Sequence, residues 1–412
     1  MSVVLPLILY ATVAAAPTNE LPLEELQALT DAMARIKATY VEDVDDKKLL
    51  EGAITGMLAT LDPHSSYLSG KTLQRLSESS HGSYGGVGME VLPVEGEFRV
   101  VTPMDDSPAK RAGVLSGDVI VRINDESVHG WKFEKVIESL RGEPGSTVKV
   151  QFEREGVAAP IDLKLTRAEI QTKSVRHELM DNGVGYLRVS QFQIDSADEM
   201  LRSISALEQE FGKPLRGLIL DLRNNPGGVL RAAIDMSDAF LTEGVLVSTK
   251  GRMAGTVSEA RADPEQIMAG VPIVVLINEG SASASEIVAG ALQDHGRAVI
   301  VGARSFGKGS VQTVQRLNAD SAIKLTTARY YTPNGRSIQA KGIMPDVLVP
   351  SGKWVADEQP TRREADLPRS LQNTDSDDIV VSPNADESIW QDTQLATAIN
   401  LLHGLAALQK TP

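Results

Sequence analysis

Four short apolar, mostly branched runs constrain this chain more than any other feature: Gly185 to Val189, Gly217 to Leu222, Ile273 to Ile277 and Ala298 to Val301. Stretches with helical periodicity, such as Ser196 to Gln209, separate them. Runs of this length and character suit strands covered on both faces, and alternation of such strands with helices builds layers. The expected fold class is therefore α/β, with a layered core over residues 169–350.

Upstream the rhythm changes. From Gly85 to Arg167 the pattern is one of short β-type runs, Phe98 to Thr102, Val119 to Ile123 and Thr147 to Phe152, around one helix from Trp131 to Leu140. That is the size and rhythm of a PDZ module, assigned to residues 85–168. Residues 17–80 read as helical: Leu23, Leu26, Leu29, Met33, Ile36 and Tyr40 recur at three- and four-residue steps, and a second helix is expected from Asp46 to Leu61. Asp62-Pro63-His64-Ser65-Ser66 then supplies turn chemistry. At 412 residues the chain has room for two or three domains with real cores.

The two ends carry their own signals. Val3 to Ala16 is apolar except for Thr12 and ends in three alanines before Pro17, so residues 1–16 read as a signal peptide or N-terminal anchor, although no basic residue precedes the run. Residues 351–386 are rich in Asp, Pro, Ser and Arg without periodicity and read as a linker or mobile tail. A final helix is expected within 387–412, from Ile389 to Leu408; its stripe of Leu395, Ile399, Leu402 and Leu405 suits either the same chain or a partner.

Composition removes several classes of function. The formal charge is −14 with no long Lys/Arg run, which argues against a nucleic-acid partner. The absence of cysteine excludes disulfides, thiolate nucleophiles and Cys-ligated zinc, and suits export. Six scattered histidines show no i, i+4 pair, so neither a metal nor another cofactor is expected. Covalent catalysis is left to Ser, Thr or Lys.

Gly280-Ser281-Ala282-Ser283-Ala284-Ser285-Glu286-Ile287 follows directly on the run Ile273 to Ile277. A strand-to-helix transition presents a side chain at the strand end and leaves helix N–H groups free, which suits a nucleophile, and three serines compete for the role. By itself the octapeptide is equally an N-cap with small residues for close packing. Lys308 stands between Gly307 and Gly309, where the backbone can approach other groups closely. Burial disfavours an ammonium, and a neutral amine can take a proton from serine, with Gln312 placed to orient it. Asn225-Pro226-Gly227-Gly228 makes a tight turn after the run ending at Leu222. Asp294-His295 lies near Ser283 in sequence, but adjacent Asp and His diverge on a helix and suit no Ser-His-Asp relay.

Three segments together, Asp221 to Gly228, Ser281 to Ile287 and Phe306 to Gln312, resemble the carboxy-terminal processing (tail-specific) protease family, and the likeness extends over most of residues 40–350. The resemblance implies a layered ββα core of the crotonase and ClpP kind, with an inserted PDZ domain and helical N- and C-terminal segments. It implies Ser283 as nucleophile, Lys308 as general base, Gln312 in support, and the amides of Gly228 and Ala284 as oxyanion hole. Gly86, Val87, Gly88 and Met89 correspond to the glycine loop by which such modules hold a terminal carboxylate on backbone N–H groups. Arg141 resembles a residue that senses the docked state. Tyr330 to Arg336 resembles a strand and turn beside the active site and suits a structural hairpin.

The implied activity is that of a serine endopeptidase cleaving near the C-termini of exported or envelope proteins, located in the periplasm or cell envelope and membrane-associated if the N-terminal run is retained. Polypeptide C-termini are the implied partners. An activating adaptor protein and a homo-oligomer through the N- and C-terminal helices are admitted as well, and self-cleavage in the acidic tail is expected. A peptide-binding scaffold that never cuts is the alternative, and an acyl-CoA enzyme on a related core leaves the lysine and the PDZ module without a purpose.

Overall fold

The computed structural model describes residues 21–253, 255, 257–353, 369 and 391–408. The run at 1–16, most of the segment 351–386 and residues 387–390 therefore lie outside the described residues. The chain divides into two units, Met1–Tyr67 and Leu68–Pro412.

In the first unit Leu23–Thr39 and Asp46–Ala59 are helices. Asp45 caps the second by accepting from the Lys48 N–H at 3.2 Å. The carboxylate of Asp62 closes the expected turn, accepting from the N–H groups of His64 at 2.8 Å and Ser65 at 3.0 Å. Leu26, Leu29 and Ile36 stand exposed on the first helix, which buries no side chain.

In the second unit the four apolar runs become strands Val184–Val189, Gly217–Asp221, Ile273–Ile277 and Ala298–Gly302, paired in that order and parallel. Val175–Met180 joins one edge antiparallel and Val347–Leu348 the other edge parallel. Every residue of the two central strands is buried. Side chains alternate along a strand, so Leu218, Leu220, Val275 and Ile277 share one core with helices Ser196–Phe211, Leu230–Asp238 and Ala284–Asp294. Ile219, Val274 and Leu276 share a second core with helix Thr393–Leu408.

That final helix resolves the choice left by its sequence, because Leu395, Ile399 and Leu402 pack on the chain's own sheet. Leu402 is 1% exposed and lies so close to Gly217 that a Cβ there would sit 3.1 Å from it. Three of the four leucine and isoleucine residues of that stripe, Leu395, Ile399 and Leu402, are thus covered within the chain.

A second, antiparallel sheet contains Val245–Gly251, Ser258–Arg261 and the hairpin of Ser310–Arg316 with Ser321–Tyr331. The hairpin register sets Gln312 opposite Thr326. Residues 89–166 form a separate antiparallel sheet, with strands Met89–Val94, Glu97–Pro103, Val119–Ile123, Thr147–Glu153 and Ile161–Thr166 adjacent in chain order. Helix Phe133–Leu140 packs on the core of this sheet, which holds Val100, Ile120, Phe152 and Leu165. The helix begins two residues later than its periodicity suggests, because Trp131 closes a turn on Val128 and Lys132 is the N-cap. Helix Lys71–His81, stopped by Gly82 at φ 67°, leads into the strand Ser83–Gly86.

Candidate active site

The serine loop lies between the end of a central parallel strand and the start of helix Ala284–Asp294. Three serines compete there, and their surroundings separate them. The Ser281 hydroxyl donates to the Leu222 carbonyl at 2.8 Å and accepts from the Asn278 N–H at 2.9 Å. The Ser285 hydroxyl donates to the Asn225 carbonyl at 2.9 Å. Both are fully buried and hold the loop together, whereas Ser283 is half-buried and lines a cavity of about 410 Å³. Ser283 is also strained, with φ 56° and ψ −113°, a region non-glycine residues enter at a cost of about 1–3 kcal/mol when the surroundings impose it.

The Asn225-Pro226-Gly227-Gly228 turn imposes part of that geometry. Asn225, fully buried, donates through Nδ2 to the Val189 carbonyl at 2.9 Å and accepts from the Gly227 N–H at 2.9 Å, while its carbonyl takes the Ala282 N–H at 3.0 Å. Gly227 has φ +100°, and a Cβ on it would lie 2.8 Å from the Cβ of Ser283. At Gly228 a Cβ would collide with the Phe192 carbonyl. Phe192 pairs with the turn through the Gly227 carbonyl and the Val229 N–H, each at 2.9 Å, which passes over the Gly228 N–H. Ala284 is the first residue of its helix, and the first N–H groups of a helix have no intrahelical partner. Gly228 and Ala284 both line the cavity with Ser283.

Lys308 reaches the same cavity from the loop before strand Ser310–Arg316. Gly309 admits a close pass, since a Cβ there would lie 2.6 Å from the Gln339 nitrogen. Gln312, a further lining residue, commits its amide nitrogen to the Ser310 carbonyl (3.2 Å), the Ser310 hydroxyl (3.0 Å) and the Thr326 hydroxyl (3.3 Å). Its Oε1 is left as the atom able to accept from an amine.

Two neighbours have closer ties to the site than the sequence indicated: Glu286, which drew no role, and Tyr330, expected only as part of a strand and turn beside the active site. Glu286 is 0% exposed; burial pushes its carboxyl up, against the pull of donors from Ser305, Ser283, Gly307 and Lys308. Tyr330 is 1% exposed; burial and the Glu286 charge hold its phenol well above the usual range, and its hydroxyl donates to the Lys308 carbonyl within reach of the Ser283 side chain. A Glu three residues into a helix reads as an ordinary cap, and Tyr330 reads as part of a structural hairpin beside the site, so neither residue's contacts with Ser283 and Lys308 were signalled.

Other candidates lie elsewhere. His295 directs Nε2 to the Val245 carbonyl at 2.8 Å, and Asp294 pairs with Arg336. Among the described residues no group of three or more His, Asp or Glu side chains is placed to hold a metal ion. Gly86, Val87, Gly88 and Met89 are all buried, and the Val87 and Gly88 carbonyls take the N–H groups of Ala109 and Met104 at 2.9 Å each. The Arg141 guanidinium lies 4.5 Å from the centre of the Tyr84 ring and 3.5 Å from the Glu78 carboxylate. Glu78 belongs to helix Lys71–His81, whose Leu76, Ser79 and Ser80 line the cavity.

A strand-end serine, a lysine and a tight glycine turn on one cavity, beside a sheet-and-helix peptide module, define a class: serine peptidases with an embedded recognition domain. The profile described as Peptidase family S41 matches residues 183–349, the PDZ domain profile residues 85–165, and the activating protease CtpB N-terminal domain profile residues 11–72. The chain is 44% identical over 327 residues to a carboxy-terminal-processing protease of Bartonella bacilliformis, covering 79% of this chain and 75% of that protein. It is 37% identical over 320 residues to carboxy-terminal processing protease CtpA of Bacillus subtilis, covering 77% and 68% respectively. A solved photosystem II D1 C-terminal processing protease is 31% identical with a TM-score of 0.47, covering 80% of this chain and 92% of that one. The chain belongs to the carboxy-terminal processing protease family of serine peptidases, and it carries a PDZ domain.

Proposed function

We propose that this protein is an endopeptidase that cleaves near the C-termini of exported or cell-envelope proteins by a Ser283–Lys308 mechanism. The observation that carries the reading is the meeting of Ser283, Ala284, Gly228, Lys308 and Gln312 on one cavity. The Lys308 amine, neutral and oriented by Gln312, takes the Ser283 hydroxyl proton as Oγ bonds to the scissile carbonyl carbon. The carbonyl electron pair moves onto oxygen, where the N–H groups of Gly228 and Ala284 receive it; one such donor is commonly worth about 10²–10³ in kcat. Collapse breaks the C–N bond, Lys308 returns the proton to the leaving amine, and an ester remains on Ser283. Water, deprotonated by Lys308, then releases the acid and restores the serine.

Recognition of the substrate terminus is assigned to Gly86, Val87, Gly88 and Met89, with the chain added as an edge strand. Gating through Arg141 is supported by its contacts: it stacks on Tyr84 beside the glycine loop and pairs with Glu78, on the helix that reaches the cavity. Export is supported by the run Val3 to Ala16 and by the lack of cysteine. An activating adaptor is supported by the match to the CtpB N-terminal domain. A homo-oligomer would rest on the exposed Leu26, Leu29 and Ile36 of the first helix.

The test is degradation of an unstructured protein with an apolar C-terminus. Wild type should cut, and Ser283→Ala and Lys308→Ala should not. A wild type that binds this substrate without cutting it, alone or with periplasmic extract, would sink the reading in favour of a scaffold.

A further inference from the structure

We propose that Glu286 is the positioning residue of the Ser283–Lys308 pair, an acceptor-only carboxylate that fixes the backbones of nucleophile and base on one oxygen. The inference rests on the catalytic reading above. Glu286 Oε2 accepts from the Ser283 N–H at 2.8 Å and from the Lys308 N–H at 2.9 Å. Oε1 accepts from the Ser305 hydroxyl at 2.6 Å and from the Gly307 N–H at 2.7 Å. Ser305 Oγ itself accepts from the Ile343 N–H at 2.6 Å, which directs its own hydrogen toward the carboxylate.

The chemistry of these partners dictates the residue type. Three of the four are backbone N–H groups, which can only donate, so both oxygens must accept. In an ordinary capping box the acidic side chain serves the N-cap N–H alone. Here the same oxygen also holds the loop that delivers the lysine, and the whole carboxylate is withdrawn from water. Burying a carboxylate is unfavourable unless it is well bonded, and an apolar residue at this inward helix position would fill the space without that penalty. The strained Ser283 backbone and the glycine-flanked lysine loop are the two segments whose relative placement the mechanism needs, and Glu286 bridges their backbones through the N–H groups of both.

Glu286→Gln tests this with almost no change of shape. Whichever way the amide turns, its NH2 faces two donors, so either the Ser283–Lys308 side or the Ser305–Gly307 side opens. A misplacement of about 1 Å costs about 10²-fold in rate. The expected result is a kcat lowered about 10²-fold with KM within about threefold, and a parallel loss in the rate of labelling by a fluorophosphonate, in a protein whose melting temperature falls but which is still folded at the assay temperature. Placed on Lys308→Ala, the same substitution should cost less than about threefold more, because groups acting as a unit are non-additive. Activity within about fivefold of wild type, or a full further loss on Lys308→Ala, would overturn the proposal. Should Glu286→Gln fail to fold, Ser305→Ala keeps the carboxylate but removes one anchor: labelling about fivefold to twentyfold slower is expected, and wild-type labelling in that folded variant overturns the proposal. Ser283→Ala and Lys308→Ala assayed alongside keep the two readings apart, since their retaining activity would sink the catalytic assignment itself, whereas their loss beside an active Glu286→Gln sinks only this one.

Discussion

Gly227→Ala should disable the enzyme while leaving it folded. The added methyl would lie 2.8 Å from both the Ser283 Cβ and the Ala282 carbonyl oxygen, and 3.0 Å from the Ala284 nitrogen, against the 3.4 Å at which ordinary van der Waals contact begins. The turn and the serine loop must therefore part by about 0.6 Å, which moves the Gly228 amide away from the serine loop. Misplacement approaching 1 Å at a reacting centre costs about 10²-fold, so kcat should fall by about that factor with KM nearly unchanged. Alanine at φ +100° adds backbone strain of about 1–2 kcal/mol, a fall in Tm of about 2–8 °C for a domain of this size. Gly212→Ala is the matched control: Gly212 has φ +73° but nothing lies within 4 Å of its Cβ position. It should lower Tm comparably and leave kcat alone. Initial rates on a fluorogenic peptide and thermal melts of the three proteins decide the matter. Equal kcat in Gly227→Ala and Gly212→Ala would refute the wedge argument.

Three further outcomes follow from the same structure. Leu402→Ala should destabilise the unit holding the central sheet by about 2–5 kcal/mol, since Leu402 is 1% exposed in the core beneath that sheet; a denaturant midpoint equal to wild type would show that the final helix is not held there. Asp118 of the PDZ module is desolvated, which raises its pKa, but the bidentate bond from Arg154 and the Leu115 N–H pull harder and hold it below its ordinary 3.8. A depressed carboxyl stabilises the fold above its unfolded value and loses that contribution as pH falls through the folded one, so the wild-type melting advantage over Asp118→Asn should be present at neutral pH and fade below about pH 4; an advantage that persists in acid contradicts this. Arg141→Ala releases both Tyr84 and Glu78, and, on the proposed gating, should change how far a C-terminal peptide stimulates turnover without altering the basal rate of fluorophosphonate labelling; unchanged stimulation would contradict a gating role for Arg141.

How much of this was legible beforehand follows from which residues act locally. The central strands declared themselves because burial on both faces leaves no polar alternation, as in Ile273–Ile277, whose five residues are all buried. The resemblance singled out Ser283, but the local residues could not rank it against Ser281 and Ser285, since their difference in surroundings depends on the Leu222 and Asn225 carbonyls, about 60 residues away. Glu286 was hidden for the same reason: its cap to Ser283 is local, but its bonds to Ser305, Gly307 and Lys308 exist only once the lysine loop has folded back. The stripe of the final helix looks alike whether it meets the chain's own sheet or another copy, and only the apolar underside of that sheet settled which it meets. The polar antiparallel sheet carrying Gln312 and Thr326 was legible only as a strand and turn near Tyr330, because its half-exposed strands lack a clean apolar alternation.

The most direct test of the central assignment is to locate the covalent adduct of a fluorophosphonate by peptide mass spectrometry and to time its formation in wild type, Ser283→Ala and Lys308→Ala. The account predicts a single adduct on Ser283, none in Ser283→Ala, and labelling slowed by several orders of magnitude in Lys308→Ala. An adduct on another residue, or wild-type labelling without Lys308, would contradict it.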